Sequence, residues 1–303
     1  MRGTHPPRWI AAVGPGLLVA ATGVGAGDLA TAGFAASKLG YAILWAIVVG
    51  AAVKFMLTEG LARWQLATGA TLIEGVRHRL GPIPIALFLL YLVAWCYFVG
   101  VALVKASGVA TQALLPLPFE LGTSSESAGP LVYGAACSIL GLAVAWLGGF
   151  RWFERVMGVC IAVMFLTTII SAIAVRPDWS AVATGLLVPR IPEGGTNWTI
   201  ALMGGVGGTV TVLAYGYWIR QVDGERERGI GLMRLDLAVG YVATAVFGIA
   251  VAILAVGVPT EGAGVRLITG LADRLGEAIG PGLRALFLVG VWAAIVSSLI
   301  GVW

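Results

Sequence analysis

Apolar positions along the chain gather into long runs that are hydrophobic on every side, separated by short polar stretches. An amphipathic helix would alternate faces; all-round apolarity over about 20 residues instead fits a helix crossing a hydrocarbon core about 30 Å thick. Eight such runs stand out: roughly 10–37, 41–62, 82–107, 129–148, 156–175, 198–219, 236–258 and 282–303. The pattern predicts an all-α integral membrane protein, one transmembrane unit over residues 1–303, with about eight spanning helices. Trp9, Trp64, Trp146, Trp152, Trp179, Trp198 and Trp218 fall at the predicted span ends, where tryptophan anchors to the interface.

Composition agrees. Hydrophobic residues make up 59% of the 303 and charged residues 11%, and the mean hydropathy is +0.94. A pI near 9.1 does not indicate nucleic acid here, because the basic residues lie between the spans and set orientation in the bilayer. With the N-terminus in the cytoplasm, inner segments carry Arg2, Arg8, Arg63, Arg77, Arg79, Arg151, Arg155, Arg220, Arg226, Arg228 and Arg234, against Lys38, Arg176, Arg190, Arg266, Arg274 and Arg284 outside. This excess favours the N-in arrangement in the cell membrane. The N-terminal run continues past any small-residue cleavage site and is followed by further spans, which argues against a removable signal peptide. Cys96, Cys137 and Cys160 each sit inside an apolar run with no paired spacing, so neither a disulfide framework nor a zinc site is expected.

Charge inside the spans is scarce, as its cost demands. It is limited to Asp28, Lys54, Glu59 and Lys105, with Arg63 and Asp236 nearer the ends. Glu59 and Arg63 are spaced to neutralise each other on one helix; Lys54 and Lys105 are expected to snorkel or to meet a carboxylate across the bundle. Asp28 differs, because it follows Gly23, Gly25 and Gly27 in "ATGVGAGDLATAGF". Glycine weakens a helix interior by about 1 kcal/mol each, so this run is expected to unwind. Asp28 then serves as the N-cap of a half-helix starting at Leu29, as a cation ligand beside the freed carbonyls, or as both. A second glycine-broken run, "MGGVGGTVT" at 203–211, contains Gly204, Gly205, Gly207 and Gly208. Interruptions in corresponding spans of two halves point to an inverted-repeat transporter with its site at the midplane. The first repeat is placed at about 10–175 and the second at about 198–303. Eight spans fall short of two five-helix repeats, so a longer transporter is expected.

These residues carry a family resemblance from about residue 14 onward. "GPGLLVAATGVGAGDLATA" resembles the first helix of the Nramp divalent-metal transporters, which reads GPG, a DPGN motif and an A-T pair; "GFRWFER" at 149–155 resembles their link between helices four and five, and "RLD" at 234–236 the start of helix seven. The resemblance implies a LeuT-like fold with a metal held between the unwound parts of helices one and six. Matching Ala30 and Thr31 to the A-T pair places Gly25 at the family's metal-binding Asp and Asp28 at its Asn. Gly208 or Thr209 falls at its methionine ligand, and Val210 or Thr211 at the histidine implicated in proton movement. The third run, "CYFVGVALVKASG", has no acid where the family's proton pathway would lie, and His5 and His78 are both in loops.

Loss of the thioether leaves an oxygen-only site. Such a site suits hard ions, and magnesium retains several of its waters. In these losses the chain resembles the Nramp-related branch that carries magnesium without proton coupling. The expected cargo is therefore a divalent cation, Mg2+ ahead of Mn2+. Asp28 would be its charged contact; Thr22, Gly25, Gly205 and Gly208 would offer backbone groups, and Thr209 and Thr211 hydroxyls. The metal is substrate; no cofactor and no nucleic-acid partner are expected, and the bilayer is the surrounding phase. A proton-coupled Mn2+/Fe2+ transporter, a LeuT-like carrier of a small organic solute and a membrane sensor stand as alternatives. Neither H-E-x-x-H nor G-x-S-x-G occurs, which argues against an enzyme. "NWT" at 197–199 reads as a helix start as readily as a glycosylation acceptor, and "DGERERG" at 223–229 as a solvated loop.

Overall fold

The computed structural model describes residues 14–116, 125–223, 229–258 and 265–303. The first apolar run forms two helices, α1 (Gly14–Gly23) and α2 (Ala26–Leu39). A 3-10 turn at Gly40–Ile43 then leads into α3 (Leu44–Thr68). Next come a short surface helix α4 (Leu72–Leu80), the long α5 (Pro82–Leu114), α6 (Ser125–Leu147) and α7 (Gly149–Ala174). After α8 (Trp179–Leu187), the sixth run is again split, into α9 (Thr196–Gly205) and α10 (Thr211–Asp223). The described chain closes with α11 (Ile230–Ala255), α12 (Val265–Ala278) and α13 (Pro281–Val302).

All eight runs are helical, and two are interrupted where glycine is densest. At 1.5 Å per residue a ten-residue helix such as α1 or α9 covers about 15 Å, half of a hydrocarbon core. Each break therefore lies near mid-depth. Three helices depart from the sequence reading. "GFRWFER" is no link but the first two turns of α7, and α11 begins a turn ahead of "RLD". Helix α12 escapes a hydropathy search because Asp273, Arg274 and Glu277 are exposed on one face, while Leu267, Ile268, Leu271, Ala272 and Leu275 are buried on the other. "NWT" lies in the first turn of α9, as the helix-start reading has it. Most of "DGERERG", together with Arg2, His5, Arg8 and Trp9, lies outside the described residues.

Successive spans run in opposite directions and define two ends of the bundle. At the proximal end, where α1 begins, Arg220 Nη2 donates to Gly69 O at 2.6 Å and to Glu74 at 3.1 Å. Thr71 and Glu74 form a capping box at the start of α4. The Thr71 amide, and then the Arg220 guanidinium, hold the Glu74 carboxyl down at about 2. This pair therefore favours the folded state above the ordinary glutamate range near 4.3 and loses that contribution only as pH falls through about 2. At the distal end Trp45 Nε1 donates to Arg190 O at 3.0 Å, and Lys38 sits 4.9 Å from the Trp198 ring.

The core lies where α1, α2, α3, α7, α11 and α13 meet. Phe287, Leu288, Val291 and Ile295 of α13 are buried in the same cluster as Met157 and Met164 of α7. Small residues bring these helices close: a Cβ on Gly290 would collide with Thr167 Oγ1. Helix α5 instead presents Leu87, Leu90, Tyr97 and Phe98 outward, and Lys105 on it is exposed rather than paired across the bundle. Cys137 and Cys160 are buried and Cys96 is exposed, all three as free thiols.

Candidate metal site

The two breaks touch each other. A side chain on Gly23, the last residue of α1, would collide with the backbone of Gly207. In the second break Gly207 and Gly208 have φ of +73° and +65°, a left-handed conformation that strains any residue with a Cβ. Their sequence thus lets the chain leave α9 and enter α10 within five residues, 206–210. Gly25 is extended, with φ −132° and ψ −156°, and caps α2; a Cβ there would strike Ser298 of α13. Gly23, Gly27, Gly204 and Gly205, expected to be part of the unwound stretches, are helical. Flanking helix packing overrides their weak propensity.

Thr22, Gly25, Asp28, Gly205, Gly208, Thr209 and Thr211 all line one cavity of about 300 Å3, with Tyr91, Trp95 and Leu103 of α5 and Ser298 forming other parts of its wall. Asp28 does not cap a helix at Leu29: α2 starts at Ala26, and Asp28 stands in its first turn. There its charge faces the positive end of the half-helix. Its Oδ1 accepts from Gly207 N–H at 3.3 Å across the breaks. Its Oδ2 is buried with no hydrogen-bond partner, and Thr22 Oγ1 is in the same condition.

Several other oxygens at the breaks are already engaged. Thr211 Oγ1 donates to Gly207 O at 2.8 Å, Gly208 N–H donates to Gly205 O at 3.2 Å, and Ser297 Oγ and Ser298 Oγ donate to Ala21 O at 2.9 and 3.3 Å. Lys54 Nζ donates to Gly208 O at 2.7 Å and to Thr209 Oγ1 at 3.2 Å. Lys54, expected to snorkel or to meet a carboxylate across the bundle, points inward onto the second break, within the field of the Asp28 carboxylate. The sequence gave no signal of this contact, because it joins α3 to the second break across about 150 positions. The serine pair on α13 was missed for the same reason.

Toward the proximal end a polar lattice fastens the helices beneath the cavity. Asp236 is fully buried; it accepts from Gly16 N–H at 2.8 Å and from Tyr215 OH at 2.9 Å, joining α1, α10 and α11. Thr58 donates to Lys54 O and shares a 2.6 Å hydrogen bond with Tyr241. Glu59 pairs with Arg63, as its spacing implies, and also with Arg234 of α11. Among the described residues no group of three His, Cys, Asp or Glu side chains is placed to hold a metal. Among the described residues lining the cavity, the groups suited to contact a metal are one carboxylate, hydroxyls and backbone carbonyls.

Two broken helices crossing at mid-depth, with a lone carboxylate between them, define a multi-pass membrane protein of the LeuT-like class. The natural resistance-associated macrophage protein-like model, Nramp, matches residues 16–302. The chain belongs to that family. It is 31% identical over 247 residues to a divalent metal cation transporter MntH of Chromohalobacter salexigens, covering 77% of this chain and 53% of the relative. A second MntH, from Verminephrobacter eiseniae, is 26% identical, covering 94% and 64%. Among solved structures, a manganese transporter of Eremococcus coleocola, in complex with an aromatic bis-isothiourea substituted compound, superposes with a TM-score of 0.74 at 20% identity, covering 97% of this chain and 64% of that one. The chain thus spans between about half and two thirds of the length of these relatives.

Proposed function

We propose that the protein is a carrier, not an enzyme, and that it passes a hard divalent cation across the cell membrane through the cavity between the two breaks. The observation that carries this reading is Asp28: a carboxylate with one oxygen accepting from the Gly207 amide at 3.3 Å and the other buried without a hydrogen-bond partner. A buried, under-bonded carboxylate is costly, and a cation entering the 300 Å3 cavity relieves that cost. Thr22 supplies a second unpartnered oxygen on the same wall.

The donor chemistry supports Mg2+ first. Carboxylate, hydroxyl and carbonyl groups suit Mg2+, Ca2+ and Mn2+ alike, and neither a soft sulfur nor an imidazole, which would favour a transition metal, is among the described residues lining the cavity; Met203 of α9 is outside that lining. The cavity has room for a cation that keeps several waters, as Mg2+ prefers. With no second carboxylate and no histidine in either glycine-rich stretch, 21–34 or 203–211, transport proceeds without proton coupling. Mn2+ is the rival cargo: relatives carry manganese or divalent metal in their names, and an oxygen site accepts it.

Reconstitution into liposomes holding a magnesium- or manganese-sensitive dye, with a pH dye in parallel, tests the proposal. Divalent uptake is expected without internal acidification, and Asp28→Ala should reduce it at least about tenfold, as loss of the only charged contact implies. Uptake by Asp28→Ala equal to wild type would overturn the site. Manganese entry with protons, uninhibited by magnesium, would establish the rival.

A further inference from the structure

Lys54 is a spanning-helix lysine that is 6% exposed, and it makes no salt bridge with a side chain among the described residues. Its ammonium instead donates to Gly208 O at 2.7 Å and Thr209 Oγ1 at 3.2 Å, within the field of the Asp28 carboxylate. Both acceptors line the cavity between the breaks. An ammonium held by a carbonyl, a hydroxyl and a nearby carboxylate occupies the ligand set that a partly dehydrated metal ion would use. The root of the side chain is fixed as well, since Thr58 bonds to Lys54 O and to Tyr241 OH, and Tyr241 packs beside Gly207.

Resting on the proposed cation path, we infer that Lys54 is a tethered cation that competes with the transported ion for the oxygens of the second break and so sets both affinity and selectivity. The competition acts through charge. A monovalent ion entering the cavity gains little that the ammonium does not already supply, and it has no way to dilute a competitor attached to the protein. A divalent ion gains twice the attraction from Asp28, enough to expel the ammonium from Gly208 O. The four-carbon stem lets the head swing aside without moving α3. Return of the ammonium then helps to discharge the ion, because the oxygens never have to be left bare.

Isothermal titration of the purified protein with MgCl2 and MnCl2 at fixed pH, alongside liposome uptake, decides the matter in wild type, Lys54→Met and Lys54→Arg. Lys54→Met is expected to bind the divalent ion at least about tenfold more tightly and to become inhibited by Na+ or K+, whereas Lys54→Arg, which keeps the charge, stays close to wild type. A folded Lys54→Met with unchanged or weaker divalent affinity and no monovalent inhibition overturns the inference. If Lys54→Met does not fold, Lys54→Gln, which keeps a donor without the charge, carries the same expectations. Should wild type bind neither metal, the proposed function fails, yet the variants still discriminate: binding gained on neutralising Lys54 supports the tethered cation, and none gained rejects it.

Discussion

At the scale of single residues, the glycines of the breaks separate into two kinds that look alike in the sequence. Gly23 faces the backbone of Gly207, whereas nothing lies within 4 Å of where a Cβ on Gly27 would point. Gly23→Ala should therefore lower the thermal midpoint in detergent and impair uptake, because the two breaks are forced apart. Gly27→Ala, inside α2, should leave the fold intact and raise its stability by up to about 1 kcal/mol from helix propensity. A reversed order of the two midpoints would show that the breaks are not in contact. The sequence exposed the glycine clusters and Asp28 because both are anomalous within an apolar run. It did not show which glycine unwinds the chain, which depends on what stands opposite. Lys54 likewise gave no local sign of its partners, since they lie in the second break, about 150 positions away.

At the scale of elements, α1, α10 and α11 are joined through one buried carboxylate. Removing the Asp236 side chain takes away the acceptor that the Gly16 amide and the Tyr215 hydroxyl share. Each loses a charge-assisted bond worth about 1.5–3 kcal/mol. Asp236→Ala is expected to lower the thermal midpoint more than Tyr215→Phe, and the double variant should be less destabilised than the sum of the two, as groups in one network behave. Strict additivity would dissolve the network. The spans themselves were legible, because hydrocarbon thickness imposes a length that apolar runs must meet. Helix α12 was not, since its burial is one-sided and its charged face hides it from any average of hydropathy.

At the scale of the whole molecule, the described residues place Arg63, Arg77, Arg79, Arg151, Arg155, Arg220 and Arg234 toward the proximal end, against Lys38, Arg176, Arg190, Arg274 and Arg284 toward the distal one. From this excess and the positive-inside rule we propose that the proximal end faces the cytoplasm. Single cysteines at His78→Cys and Glu193→Cys, in a background cleared of Cys96, Cys137 and Cys160, test this in whole cells: a membrane-impermeant thiol reagent should label only the second, and labelling of the first alone would invert the molecule. The pairing of the two breaks also has a mechanical consequence. Half-helices α1 and α10 are clamped on one side by Asp236, α2 and α9 lie against each other on the other, and between these pairs Gly23 is seated on the backbone of Gly207. That seat forms a fulcrum with a lever arm on either side, and the cavity is cut into the pivot itself, so tilting either arm would reshape the cavity without any signal having to travel to it.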